Sequence, residues 1–384
     1  MLYFDNAATS NPKPEVTWQA MEHYMRDVGC NPGRGGYAGS IAAGRIVFMA
    51  RERLMTLFNA PSEKQVIFTP NVTYALNFAI KGLLTPGDHV ILSSMEHNSV
   101  VRPLRFMEKN CGVELSVVPC DRAGRLNPED IRRALRKNTK LVVLTHASNV
   151  TGTILPVNEV AAIVRQTDAF FVLDTAQTAG VLSIDFQALG LDFLAFTGHK
   201  SLYGPPGTGG FVVSERAAER LIPLVEGGTG SKSDQEEQPD FLPDKFEAGT
   251  ANTVGIAGLG AGAQFVLATG LEKIREHEQH LTRLFLAGIR EIPGVQVYGP
   301  AKVEERVATV SLTLGGADLG EVAAVLDAEY GIMVRSGLHC SPLAHRTLGT
   351  FPAGTLRFSF GYFNTEEEVQ TAVEALHTLA RQYC

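Results

Sequence analysis

Phe196-Thr197-Gly198-His199-Lys200 closes a short apolar run, residues 193–196, and a glycine-rich loop follows it, Gly204-Pro205-Pro206-Gly207-Thr208-Gly209-Gly210. The run reads as a buried strand. Lys200 therefore stands just past a strand end, beside a hydroxyl, an imidazole and flexible backbone. That is an odd place for a solvated cation. Burial lowers the pKa of a lysine and makes its amine nucleophilic. Such an amine is suited to a Schiff base with a carbonyl compound. Taken alone, Lys200 could equally do no more than cap the strand, so the surrounding stretches decide.

Moving outward, apolar runs alternate with helical patterns. Strands are predicted at 65–69, 89–93, 114–119, 140–145, 169–173, 193–196 and 210–213. Several are apolar without interruption, as expected of strands buried on both faces. Helices are predicted at 15–28, 42–58, 74–83, 98–110, 127–135 and 157–166. In 74–83, Ala75, Leu76, Ala79, Ile80 and Leu83 share one face. The alternation predicts an α/β fold, a mostly parallel seven-stranded sheet with helices on both sides. Asp5 to Thr9 reads as an ordered loop, Asn31 to Gly36 as a turn-rich segment, and 231–244 as an exposed acidic loop. Beyond Leu271 a charged amphipathic helix runs to about Ile292. A small α+β unit follows, with strands near 295–298, 307–314, 332–335 and 355–359 and helices at 319–330 and 365–382. The expected division is an N-terminal segment packing near the site (1–14), a large domain (15–255) and a small C-terminal domain (256–384).

The 384 residues carry a net charge of -7 with no basic block, which argues against nucleic acid or an anionic membrane as partner. Cys30, Cys111, Cys120, Cys340 and Cys384 are odd in number and scattered, with no CxxC pair. That argues against a disulfide framework or a zinc site and fits a reducing cytoplasm. No signal peptide is visible at the N-terminus. Residues 248–271 are uncharged and long enough to span a bilayer, but their six glycines and several polar residues read as a loop and a closely packed helix.

A lysine Schiff base points above all to the aldehyde of pyridoxal 5′-phosphate (PLP), whose ring nitrogen wants a carboxylate. Asp174 ends the run Phe170-Phe171-Val172-Leu173, where ligands gather in open α/β sheets. The 26 residues from Asp174 to Lys200 leave room for one crossover and a return strand, so both side chains can share one sheet edge. Gln177 and Asn149 could donate to the phenolate. A phosphate wants backbone N–H groups at a helix start, which Asn71-Val72-Thr73 could provide, with Thr197 and His199 as added donors. His97 follows a strand and could stack on a ring or move a proton. Cys340 lies in Arg335-Ser336-Gly337-Leu338-His339-Cys340-Ser341-Pro342, an accessible loop suited to a nucleophilic thiol. Arg357, beside a buried strand, suits capture of a carboxylate, with a structural ion pair as the alternative.

Together these stretches resemble the class V aminotransferase superfamily of fold type I PLP enzymes, and within it the cysteine desulfurase and selenocysteine lyase family. The resemblance runs nearly end to end, through Tyr3-Phe4-Asp5-Asn6-Ala7-Ala8-Thr9, Glu96-His97-Asn98, Asp174-Thr175-Ala176-Gln177, Gly198-His199-Lys200, Phe246 to Asn252, Arg335 to Cys340 and Arg357-Phe358-Ser359. The lead-in to Cys340 is similar to the SUF-type group. The resemblance implies that Lys200 holds PLP covalently, Asp174 faces the pyridinium, Gln177 the phenolate, and His97 stacks on the ring and moves protons. It implies that Val72, Thr73, Thr197 and His199 hold the phosphate, and that Thr250 reaches the phosphate of the partner subunit in a homodimer. Arg357 and Asn149, with backbone near Ala8 and with Arg335 at the loop base, are implied for the substrate carboxylate. Cys340 is implied to attack the substrate sulfur, giving a persulfide and alanine. The implied substrate is L-cysteine, or L-selenocysteine in a lyase, with an acceptor protein for the sulfur or selenium. Two departures stand out: Thr197 replaces a frequent serine, and Asn71-Val72-Thr73 lacks the usual glycine and one hydroxyl.

A transaminase on the same scaffold would leave the cysteine loop unexplained. A nucleotide-binding or sulfur-carrier protein without PLP is the remaining alternative. The dinucleotide signature GxGxxG is missing after the first strand.

Overall fold

The computed structural model describes residues 1–33 and 35–383; Arg34 of the turn-rich segment and Cys384 lie outside the described residues. The strands are β1 (Leu2–Tyr3), β2 (Val66–Thr69), β3 (His89–Ser93), β4 (Glu114–Val118), β5 (Thr139–Thr145), β6 (Phe170–Asp174), β7 (Phe193–Thr197), β8 (Gly209–Val213), β9 (Val295–Tyr298), β10 (Thr309–Leu314), β11 (Ile332–Met333), β12 (Arg335–Gly337) and β13 (Thr355–Ser359). Seven of them form the large sheet in the order β2-β8-β7-β6-β5-β3-β4. β4, β3, β5, β6 and β7 are parallel, and β8 runs antiparallel to both its neighbours.

The uninterrupted apolar runs have a simple cause. Val142, Leu144, Phe171 and Leu173 point into one core, and Leu141, Val143, Phe170 and Val172 into the other. Helices Val72–Leu83 and Asn98–Cys111 cover the second face. Because β2 is antiparallel to β8, its C-terminal end falls with those of the parallel strands. Thr69, Ser93, Thr145, Asp174 and Thr197 therefore end at one edge, the usual place for a ligand crevice.

A second, four-stranded antiparallel sheet, β12-β13-β10-β9, packs a separate core with Phe285, Val310, Leu312, Phe358 and Leu376. The strand predicted at 332–335 is two strands, broken at Val334: β11 pairs in parallel with β1, and β12 pairs with β13. Phe4 is fully buried in that same core. The N-terminal segment is thus partly a strand of the small unit.

Packing also moves the expected division at residue 256. Helix Thr253–Thr269 puts Leu259, Ala263 and Val266 into the core under the large sheet. Gly262 allows that close approach, since a Cβ there would lie 2.2 Å from the Leu202 carbonyl oxygen. The next helix, Leu271–Ile289, gives Ile274 to the large core and Leu281, Phe285 and Ile289 to the small one. The cores therefore part within this helix. No single helix among the described residues is long and apolar enough to cross a membrane. The apolar helix Thr253–Thr269 meets Leu271–Ile289 at 83°.

Candidate active site

Lys200 follows β7 at the shared edge, in a peptide held by several hydrogen bonds from the N-terminal segment. The His199 carbonyl accepts from the Ser10 N–H (3.0 Å), Thr9 Oγ1 (2.9 Å) and Lys13 Nζ (2.6 Å), and the Lys200 carbonyl accepts from Ser10 Oγ (2.8 Å). The Lys200 side chain keeps some exposure, but its amine lies deep among protein atoms. Burial pulls its pKa down to about 8; Arg357 and Arg335 push the same way, while Asp174 and Asp5 oppose them. Asp174, at the end of β6, is 3% exposed. Its Oδ1 accepts from the Ala176 N–H at 2.9 Å. Burial raises its pKa, while Ala176 and the Lys200 charge hold it back. No cation lies within ion-pair distance of it among the described residues. A buried carboxylate in that state fits a ring cation.

The neighbouring donors fit a phosphate. Thr197 Oγ1 and His199 Nδ1 are buried without a hydrogen-bond partner among the described residues. They stand at the edge where helix Val72–Leu83 begins, capped by the Asn71 side chain on the Tyr74 N–H at 3.2 Å. Gly209 brings the β8 start under that helix end: a Cβ there would lie 2.7 Å from the Asn71 Cα. Thr73 is exposed, and its hydroxyl meets Ser99 Oγ at 2.8 Å. Burial, then the charges of Lys200 and Lys13, lowers the His199 pKa to about 4.

His97 caps helix Asn98–Cys111. Its Nδ1 accepts from the Ser99 N–H at 3.0 Å, so the neutral ring carries its proton on Nε2. Burial, then the charges of Lys200, Arg357, Arg102 and Arg335, lowers its pKa to about 3. Gln177 Nε2 donates to the Ala7 carbonyl at 3.1 Å, leaving one amide hydrogen uncommitted.

On the other side, Arg357 is 2% exposed in β13. Its Nη2 meets Asp5 Oδ1 at 2.7 Å, its Nη1 donates to the Asn149 carbonyl at 3.0 Å, and its Nε has no partner among the described residues. Arg335 lies directly opposite on β12. Two cations in register repel each other, and Arg335 does lower the Arg357 pKa, after the larger effect of burial. Such a pair suits an anion. Arg335 itself is exposed. Cys340 is exposed and joins this group through its backbone, as the Asn98 N–H donates to the Cys340 carbonyl at 2.8 Å.

Lys200, Asp174, Gln177, His97, Thr197, His199, Asn149, Arg357, Arg335 and Cys340 therefore converge. Two expected residues stand differently. The Ala8 N–H is already committed to the Asp5 carbonyl at 3.0 Å and offers no free donor. The Asn149 side chain is bound to the cysteine loop, through His339 and Ser341, rather than open to the site. Thr250, expected at the partner subunit's phosphate, is exposed and lines a cleft of about 280 Å³ with Thr69, Tyr74, Gly207 and Asn252. Sequence reasoning missed Asp5, Thr9, Ser10 and Lys13 as holders of the site. Lys13 lies between two prolines, a setting with no catalytic signature, while Asp5 lay in a quoted stretch without a role.

Comparison with known proteins identifies the family. Residues 2–372 match the family model Aminotransferase class-V. The chain is 37% identical over 385 residues to a probable cysteine desulfurase of Methanothermobacter thermautotrophicus, covering 99% of this chain and 94% of that protein. It is 34% identical over 388 residues to a cysteine desulfurase of Salmonella dublin, covering 99% and 94%. The apo structure of a cysteine desulfurase from Thermococcus onnurineus NA1 matches with a TM-score of 0.94 at 33% identity, covering 99% of this chain and 95% of that one. With the family pattern spanning nearly the whole sequence, and relatives above 30% identity aligned end to end, this chain belongs to the class V aminotransferase family, whose enzymes depend on PLP.

Proposed function

We propose that the chain is a cysteine desulfurase, converting L-cysteine to L-alanine and taking the sulfur onto Cys340 as a persulfide. One observation carries the reading: the Cys340 backbone is hydrogen-bonded beside His97, whose imidazole feels the charge of Lys200. A thiol loop and a perturbed lysine thus share one site.

The residues present fit PLP. Lys200 would bind its aldehyde carbon, Asp174 its ring nitrogen and Gln177 its phenolate. The helix start at Val72, with Thr73, Thr197 and His199, would hold its phosphate, and His97 would lie against the ring. When bound, PLP supplies the electron sink that makes the substrate Cα–H acidic. The Lys200 amine, with its pKa near 8, is the base placed to take that proton. Arg357, with Arg335 beside it, orients the carboxylate. His97 offers Nε2–H as a donor; a proton relay through it needs bound anions to offset the surrounding cations. Cys340 Sγ then forms a bond to the substrate sulfur as the Cβ–S bond breaks. The balance closes without an outside reagent: one thiol and L-cysteine give one persulfide and L-alanine, and the two electrons lost by sulfur reduce Cβ to a methyl group.

We further propose a homodimer in which Thr250 faces the partner subunit's phosphate, which its exposure permits. Cys340, being exposed, would hand its sulfur to an acceptor protein. The free thiols Cys30, Cys111, Cys120 and Cys340 suit the cytoplasm.

The test is alanine formation by PLP-loaded protein. Wild type should make one alanine per persulfide in the absence of an acceptor, and Cys340→Ala should lose L-cysteine turnover. Full-rate alanine production by Cys340→Ala would refute the sulfur step. L-Selenocysteine turnover that survives this change would place the thiol's role at sulfur alone.

A further inference from the structure

We propose that Asn149 is a latch that holds the Cys340 loop until the substrate carboxylate takes its amide; this rests on the desulfurase reading above. Asn149, 8% exposed, grips both neighbours of the thiol. Its Nδ2 donates to the His339 carbonyl at 2.7 Å, and its Oδ1 accepts from Ser341 Oγ at 2.7 Å. A carbonyl can only accept, so this pairing fixes which way the amide points. The Asn98 N–H on the Cys340 carbonyl adds a third tie.

The gripped backbone is strained. His339 and Cys340 both lie in the left-handed region, with φ of 47° and 58°. Residues with side chains avoid that region, and two in succession persist only where surrounding contacts impose them. His339 is held from below as well, its Nε2 donating to the Thr355 carbonyl at 3.1 Å. The strain is therefore stored in the pair that carries the nucleophile.

The latch is wired to the carboxylate subsite by its own backbone. The Asn149 carbonyl accepts from Arg357 Nη1, and Arg357 is the cation that would receive the substrate. A carboxylate arriving there is a stronger acceptor than the neutral His339 carbonyl, because charge-assisted hydrogen bonds are the stronger kind. Drawing Nδ2 toward it removes one side of the grip. The left-handed pair then relaxes and the thiol gains reach only when a substrate is present. Asn149 is in this sense a positioning residue, acting on sulfur through the loop.

The experiment follows the thiol directly. PLP-loaded wild type is treated with iodoacetamide, and Cys340 alkylation is timed by peptide mass spectrometry. Measurements are made with and without L-alanine, which has the α-carboxylate but no sulfur; a shift in the cofactor's visible absorption registers its binding. L-Alanine should speed alkylation of wild type by about fivefold, the scale of one released hydrogen bond. Asn149→Ala should start at the fast rate and ignore L-alanine. Ser341→Ala, which loses only one grip, should start between the two and still respond; it also serves if Asn149→Ala does not fold. Bound L-alanine that leaves wild-type alkylation unchanged or slows it overturns the latch, as does a wild-type basal rate in folded Asn149→Ala. Turnover of L-cysteine by wild type is scored separately. Normal turnover with flat alkylation sinks the latch alone, whereas no turnover sinks the desulfurase reading.

Discussion

The depressed lysine can be tested without any substrate. An ordinary lysine with a pKa of 10.5 is neutral about one time in a thousand at pH 7.5, whereas one at about 8 is neutral roughly one time in four. The cofactor-free chain should therefore capture PLP with a rate that rises about fivefold from pH 7 to pH 8, about twofold more by pH 9, and then levels. Burial is the main cause of the shift, with Arg357 and Arg335 adding to it, and Asp174 works against it. Asp174→Asn should thus move the shoulder below pH 8, even as it weakens retention of the ring. The assay is stopped-flow mixing of cofactor-free protein with PLP from pH 7 to 10, following the visible band, with Lys200→Arg as the blank. A rate still climbing tenfold per unit at pH 10 in wild type would show that the amine is not perturbed. A shoulder moved upward by Asp174→Asn would reverse the assigned sign.

Lys13 should behave as a buried cation whose removal is nearly neutral for stability. Burial lowers its pKa to about 8, while its ammonium holds the His199 carbonyl and Ser10 Oγ. In Lys13→Met, relief of that burial offsets the loss of charge-assisted bonds worth about 2 kcal/mol each, so thermal melting of the cofactor-free protein should shift by only a few degrees. Because its folded pKa lies below the unfolded value, the unfolded chain binds more protons from about pH 8 to 10.5. Wild type should accordingly gain stability on Lys13→Met as pH rises through that window, and a difference that shrinks would contradict the assignment. Asp5→Asn should cost about 2 kcal/mol in denaturant melts, less than for a fully buried pair because Asp5 is 21% exposed. Adding Arg357→Met should recover part of that loss, and purely additive losses would mean the two side chains are not coupled.

The large sheet was legible because both of its faces are buried, so runs such as Phe170 to Leu173 carry their own signal. The site residues at its edge were legible for the same reason, each following a readable strand end. What escaped was made by distant partners. Leu2–Tyr3 is a strand only because Ile332–Met333 lies beside it. The predicted strand at 332–335 serves two sheets, which no local pattern announces. The boundary at residue 256 failed because an apolar glycine-rich helix carries no mark of which core it enters. Asn149 was expected at the carboxylate, yet its amide is claimed by His339 and Ser341, 190 and 192 positions away in the chain, which no local pattern announces. The resemblance to a known family assigned roles to residues that touch cofactor or substrate, and was silent on Lys13 and Ser10, which act through a backbone carbonyl.

Those silent residues explain why the two units can work as one site. Residues 2–13 form a strap with a fixed attachment to each. At one end β1 pairs with β11, and Asp5 holds Arg357. In the middle the Ala7 N–H donates to Ser359 Oγ at 2.8 Å, while the Ala7 carbonyl accepts from Gln177. At the other end Thr9, Ser10 and Lys13 bind the carbonyls of His199 and Lys200. The arginine expected to take the substrate and the lysine expected to take the cofactor are thus joined by a dozen ordered residues, although they lie 157 positions apart in the chain. Ordering a strap this short costs backbone entropy of about 1–2 kcal/mol per residue, which its many hydrogen bonds and the buried Phe4 ring offset. A small unit docked only through side chains could slide on the large one. One that shares a strand with the strap cannot shift without disturbing the peptide that carries Lys200, so the cysteine loop and the amine keep a common register.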